Sequence, residues 1–124
     1  MPAPDERIRE VVQSYVDRVA HGTADEVLAL YADDATVEDP VGSEVLVGKE
    51  AIRGFYATLE PLEQEAVLGD VRIAAGQAAF GFELRTRTAD ATYVVSPIDV
   101  MTFDDDGRIT SMRAFWGPAD MTVA

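Results

Sequence analysis

The sequence predicts an α+β domain, and three observations carry that expectation. Three stretches of helical periodicity fill the first half, period-two alternation takes over from Ala66, and no linker, repeat or low-complexity segment divides the 124 residues. Helices gathered ahead of a run of strands build a domain in which helices cover one face of a sheet. Residues 1–124 are accordingly read as a single domain, long enough to bury a core of its own.

Asp5 to Ala20 opens the chain as an amphipathic helix. Ile8, Val11, Val12, Tyr15, Val16 and Val19 recur three and four apart, with Glu6, Arg7, Arg9, Glu10, Asp17 and Arg18 on the other face. Pro4 and Asp5 suit its start and Gly22 its end. Thr23 and Glu26 form a capping box for a short second helix, whose apolar face is read as Val27, Leu28, Leu30 and Tyr31 up to a stop at Asp33–Asp34. Lys49 to Leu59 gives a third helix burying Ile52, Phe55, Tyr56 and Leu59, and Pro61 breaks the chain after it.

The strands follow. Ala66–Leu68 with Val71–Ala75 reads as one strand bulged near Gly69. Gln77–Thr88 alternates Phe80, Phe82 and Leu84 against Ala79, Gly81, Glu83 and Arg85, and Ala89–Asp90 turns the chain. Ala91–Phe103 continues the sheet with a bend, bulge or edge at Pro97, which has no N–H to donate. Asp104–Gly107 is a hairpin turn, Arg108–Trp116 the last strand, and Gly117–Ala124 a peripheral tail. Long bulged strands, antiparallel or mixed, curl a sheet strongly, which leaves a cavity between its concave face and the helices.

Bulk composition excludes several functions. A formal net charge of −13, from 23 Asp and Glu against 10 Lys and Arg, argues against a nucleic-acid backbone or an anionic membrane as partner. The absence of cysteine removes disulfides, thiolate chemistry and cysteine metal sites. His21 stands alone at a helix end, where it favours the helix dipole, and the acids are scattered, so no metal is expected. The Asp104–Gly107 run lacks the spacing of a calcium loop, and neither a phosphate-binding glycine loop nor a serine nucleophile elbow is present. No run approaches the roughly 18 apolar residues of a membrane span. The opening MPAPDERIRE lacks the basic-then-apolar pattern of a signal peptide, so a cytoplasmic location is expected.

Three residues stand out against this frame. In Ala35–Ser43, ATVEDPVGS, the neighbours Glu38 and Asp39 should point to opposite faces of an extended segment, so that one carboxylate turns inward beside Val41. Pro40 pushes Asp39 away from helical geometry. Such a carboxylate acquires the raised pKa of a general base, although Asp before Pro also nucleates ordinary turns. Asp99 interrupts an apolar strand; sharing a face with Val95, Pro97 and Met101, it would sit protonated and act as a hydrogen-bond donor, whereas at a bulge it would face solvent. Tyr15 lies in the middle of the first helix's apolar stripe, either as a plain core residue or with its hydroxyl put to use.

Set in VVQSYV, YADDATVEDPVGS and PIDV, and joined by AIRGFY and SMRAFWG, these three residues make the chain resemble the bacterial ketosteroid isomerases over nearly its whole length. The resemblance implies a cone-shaped fold, a homodimer formed across sheets and no cofactor. It also implies isomerisation of a 3-oxo-Δ5-steroid to its conjugated Δ4 isomer. Asp39 matches the base that carries a proton from C4 to C6, and Tyr15 and Asp99 match the donors to the 3-oxygen. Tyr31 and Tyr56 match tyrosines that extend the hydrogen-bond network. Val41, Phe55, Leu59, Phe82, Leu84, Met112 and Trp116 are expected to form the apolar substrate wall. Because this fold also hosts cyclases, epoxide hydrolases and noncatalytic carriers of hydrophobic ligands, those remain the alternatives.

Overall fold

Ile8, Val11, Val12, Tyr15, Val16 and Val19 are all buried in the computed structural model, which describes residues 1–124, so the stripe read from their spacing is the face that packs. They lie on α1, Asp5–His21, which ends at Gly22, where a Cβ would stand 2.9 Å from the Arg18 carbonyl oxygen. The short α2, Ala24–Leu28, starts with the expected capping box: Thr23 Oγ1 accepts from the Glu26 amide at 3.2 Å, and Glu26 Oε1 accepts from the Thr23 amide at 2.9 Å. The third helix, α3, spans Lys49–Leu59 as expected. Glu60, just past its end, accepts the Ala24 amide at 2.9 Å and so ties α3 to the start of α2.

The expectation that Leu30 and Tyr31 belong to the second helix is corrected. Tyr31 opens a strand, β1, Tyr31–Glu38, and pairs with Ile109, whose amide donates to the Leu30 carbonyl at 2.9 Å. Sheet pairing claims these groups before the helix can continue, and it sends Tyr31, Ala35 and Val37 into the core. The remaining strands are β2 (Leu46–Val47), β3 (Glu63–Ala74), β4 (Gln77–Arg87), β5 (Thr92–Val95), β6 (Ile98–Phe103), β7 (Ile109–Phe115) and β8 (Met121–Val123). Their order is β2-β1-β7-β6-β4-β5-β8, with β3 on β4; β1 runs parallel to β7 and the other pairs are antiparallel, so the sheet is mixed.

Irregularities shape this sheet. Register shifts between Leu68 and Val71, between Thr102 and Phe103, and between Tyr31 and Thr36 each bend it. The first is the bulge expected near Gly69, where a Cβ would meet the Gly81 carbonyl oxygen at 3.1 Å. Pro97 falls in the gap between β5 and β6: β4 pairs with β6 through Gln77–Gly81 and with β5 through Leu84–Arg87. The tail is less peripheral than expected. Pro118–Asp120 forms a 3-10 turn, and β8 then adds to β5 as an edge strand. No helix is long and apolar enough to cross a membrane.

Candidate active site

Between α1, α3 and the inner face of the sheet lies a cavity of about 210 Å3. Val19, Phe55, Leu59, Phe82, Leu84, Val95, Pro97 and Trp116 give it apolar walls, and Tyr15, Tyr56, Asp39 and Asp99 bring oxygen atoms to it. The three residues singled out from sequence, supplied by α1, the end of β1 and β6, therefore meet in one space.

Glu38 and Asp39 take opposite faces, as strand alternation requires. Glu38 turns outward, accepting from the Gly42 amide at 3.0 Å and from Arg113 Nε at 3.2 Å, and these contacts hold its carboxyl below the usual range. Asp39 turns inward, and Trp116 Nε1 donates to its Oδ1 at 2.9 Å. Burial raises the Asp39 pKa above the ordinary 3.8, and the indole hydrogen bond works in the other direction by favouring the charged form. The turn after Asp39 is anchored where the Val41 amide donates to the Ala114 carbonyl at 2.8 Å.

Asp99 is 1% exposed, and neither carboxyl oxygen has a hydrogen-bond partner within the protein. Burial, and then the charge of Asp39, push its pKa well above 3.8, in the direction that favours the protonated form. Tyr15 OH lies 3.0 Å from Tyr56 OH, which lies 2.6 Å from Tyr31 OH. Burial foremost raises all three phenols well above 10.0, so they remain neutral hydroxyls. The cavity thus holds one hydrogen-bonded carboxyl suited to the charged state, and one unpartnered carboxyl suited to the neutral state beside the end of a tyrosine chain.

Phe55, Leu59, Phe82, Leu84 and Trp116 line the cavity as expected; Val41 and Met112 do not. Val41 stands in the anchored turn beyond Asp39, with its backbone tied to β7. Met112 shares the inward face of β7 with Trp116, but four residues deeper, where its register partners Val37 and Met101 and the core leave it no exposed surface. Val19 completes the wall from the apolar stripe of α1. Val95 and Pro97 complete it on the face they were expected to share with Asp99.

Residues 12–112 match the family described as SnoaL-like domain. The chain belongs to the SnoaL-like family. Within it, this SnoaL-like chain is 52% identical over 116 residues to the steroid Delta-isomerase of Nocardioides simplex, a match covering 94% of each protein, and the resemblance to the ketosteroid isomerases is borne out. It is 33% identical to epoxide hydrolase LasB of Streptomyces lasalocidi, where 98% of this chain spans only 52% of that protein. Among solved structures, SalBIII, an epoxide hydrolase/cyclase-like enzyme with a role in pyran ring formation in the polyether salinomycin, superposes with a TM-score of 0.90 at 26% identity over 97% of this chain and 98% of its own. RV0760c from Mycobacterium tuberculosis superposes at 0.88 and 23% identity over 98% of this chain and 99% of its own, a likeness of fold.

Proposed function

We propose that this protein is a steroid Δ5-isomerase that converts 3-oxo-Δ5-steroids to their conjugated Δ4 isomers, with Asp39 as base and Tyr15 and Asp99 as oxyanion donors. The observation that carries the reading is that two carboxyls face one apolar cavity, Asp39 hydrogen-bonded by the Trp116 indole and Asp99 with no partner in the protein. Surroundings that push two carboxyl pKa values apart mark acid and base roles, and the ketosteroid isomerases are themselves the standard example. The relative from Nocardioides simplex, itself named a steroid Delta-isomerase, supports the same conclusion.

The chemistry follows from the groups in place. The Asp39 carboxylate takes the C4 proton: a C–H bond breaks and an O–H bond forms. The released pair becomes the C3–C4 double bond, and the carbonyl pair moves onto the 3-oxygen, giving a dienolate. Return of the proton from Asp39 to C6 restores the carbonyl and leaves the double bond between C4 and C5. A carbon acid of this kind is too weak for a carboxylate unless the oxygen's growing charge is met by donors already in place. Protonated Asp99 is one such donor. Tyr15 is the other: with Tyr31 donating to Tyr56 and Tyr56 to Tyr15, the Tyr15 hydrogen is free to point at the substrate. The apolar wall matches the hydrocarbon body of a steroid and excludes the water that would weaken these donors.

The same reading includes a homodimer. Val67, Ile98 and Phe115 are exposed on the outer face of the sheet, with Ile98 and Phe115 directly paired, and an apolar patch of this kind is commonly covered by a partner. Sedimentation velocity would find a dimer that Ile98→Glu breaks; a monomeric wild type would exclude it.

The activity is tested by mixing the protein with a 3-oxo-Δ5-steroid and following the ultraviolet absorbance of the conjugated enone. Wild type should generate it, and Asp39→Asn should reduce its rate by orders of magnitude while still binding the steroid. Full turnover by Asp39→Asn would remove the base assignment. Binding without turnover by wild type would favour a ligand carrier.

A further inference from the structure

The cavity ends, along the sheet, in an abrupt change of chemistry. Leu84 of β4 and Val95 of β5 are register partners and line it, with Ala66 of β3 across from Leu84. Two residues farther along, the next set of partners on the same face is Gln64, Thr86 and Tyr93. One step takes the row from wholly apolar to wholly polar. Gln64 is 5% exposed; its Nε2 donates to Thr86 Oγ1 at 2.9 Å, and its Oε1 is buried with no partner in the protein. Buried amide oxygens are rarely left unpaired, because their desolvation is then uncompensated.

Gln64 also lines a second hollow, of about 350 Å3, beside Ala20, His21, Gly22, Glu60 and Leu62. Val19 and Leu59 border the first cavity and their sequence neighbours Ala20 and Glu60 the second, so both hollows reach the C-terminal ends of α1 and α3.

We infer that Gln64 and Thr86 form a distal polar subsite, which takes an oxygen on the steroid ring farthest from the 3-oxo group. This inference rests on the isomerase reading. Asp99 is the register partner of Phe80, and from Phe80 to Leu84 the strand advances about 13 Å at about 3.3 Å per residue, less where it bends. Fused carbon rings built from bonds of about 1.5 Å hold a remote substituent on the order of 10 Å from the 3-oxygen. A hydrogen bond of about 3 Å at each end brings that oxygen's partner between the Leu84 and Thr86 rows. Gln64 Oε1 accepts from a hydroxyl there. Thr86, whose oxygen already accepts from Gln64, keeps its own hydrogen for a ketone.

A contact so far from C4 and C6 is the same in ground state and transition state, so it acts on KM and leaves kcat alone. The test compares 3-oxo-Δ5-androstenes bearing a C17 β-hydroxyl, a C17 ketone or no oxygen at C17. Wild type should show a KM about tenfold lower for the two oxygenated substrates, the size expected of one neutral hydrogen bond that spares a buried acceptor. Gln64→Leu should collapse the hydroxyl preference to about twofold or less. Thr86→Val should do the same for the ketone, and it carries the comparison alone should Gln64→Leu fail to fold. If all three substrates are isomerised with equal KM, or if the variants keep the wild-type ratios, this inference falls and the isomerase reading stands. If none is isomerised, the isomerase reading falls and takes this inference with it.

Discussion

The indole N–H of Trp116 lies 2.9 Å from Asp39 Oδ1, which joins the first residue after β7 to the first residue after β1. These strands run side by side and in parallel, so their ends emerge together. The bond is directed at the carboxylate form and opposes the burial that raises the Asp39 pKa. Removing it should therefore raise that pKa further. Trp116→Phe, which keeps an aromatic wall, should move the acid limb of the kcat/KM profile to higher pH, because Asp39 as the proposed base acts only when ionised. An acid limb that stays where wild type has it would mean that Trp116 serves only as wall.

The tyrosine chain predicts an ordered pair of losses. As a proposed donor to the developing oxyanion, Tyr15 is tested by Tyr15→Phe, which should lower kcat by about 10²- to 10³-fold, the cost of one such donor. Tyr56→Phe removes the hydroxyl behind Tyr15, with its contacts to Tyr15 at 3.0 Å and Tyr31 at 2.6 Å. It leaves the proposed donors in place, so it should cost about tenfold or less, the scale of neutral hydrogen bonds. Steady-state kcat with a 3-oxo-Δ5-steroid measures both. The reverse order would make Tyr56 the group that touches the substrate.

Asp99 predicts a pH-dependent stability penalty. Its folded-state pKa is raised, first by burial and then by Asp39. Below the ordinary value of 3.8 both the folded and the unfolded chain hold the proton, and there is no penalty. As pH climbs past that value the unfolded chain ionises while the folded one does not, so unfolding gains free energy until the folded group ionises too. Asn carries no such penalty. Asp99→Asn should accordingly exceed wild type in denaturant midpoint at about pH 8, and the gap should close towards about pH 4. Equal midpoints at the higher pH would show that Asp99 ionises in the folded protein as freely as in water.

Much of this was legible in the sequence because it obeys local rules. The stripe on α1, the capping box at Thr23, the span of α3 and the bulge at Gly69 follow from periodicity, side-chain hydrogen bonding and the absence of a Cβ. The inward turn of Asp39 follows from strand alternation, and so does the face that Asp99 shares with Pro97. What the sequence did not carry was long-range pairing. Tyr31 reads as helix until Ile109, seventy-eight positions away, pairs with it. Met112 has the same inward parity as Trp116, and only the depth of packing around it separates core from cavity. Gln64 is an unremarkable polar residue until register sets it beside Thr86.

That distinction between depth and parity yields the last prediction. Met112 is fully buried between Val37 and Met101, whereas Leu84 is half-buried and borders the cavity. Truncating Met112 removes contacts on all sides and leaves a void that the surrounding strands close only in part, so Met112→Ala should cost about 2–5 kcal/mol of stability. Leu84→Ala enlarges a space that already exists, so its stability loss should be smaller, and its main effect should be a higher KM through lost contact with the steroid body. Chemical denaturation measures the first quantity and steady-state kinetics the second. If Met112→Ala raised KM with little loss of stability, the methionine would have to reach the substrate, and its placement in the core would be wrong.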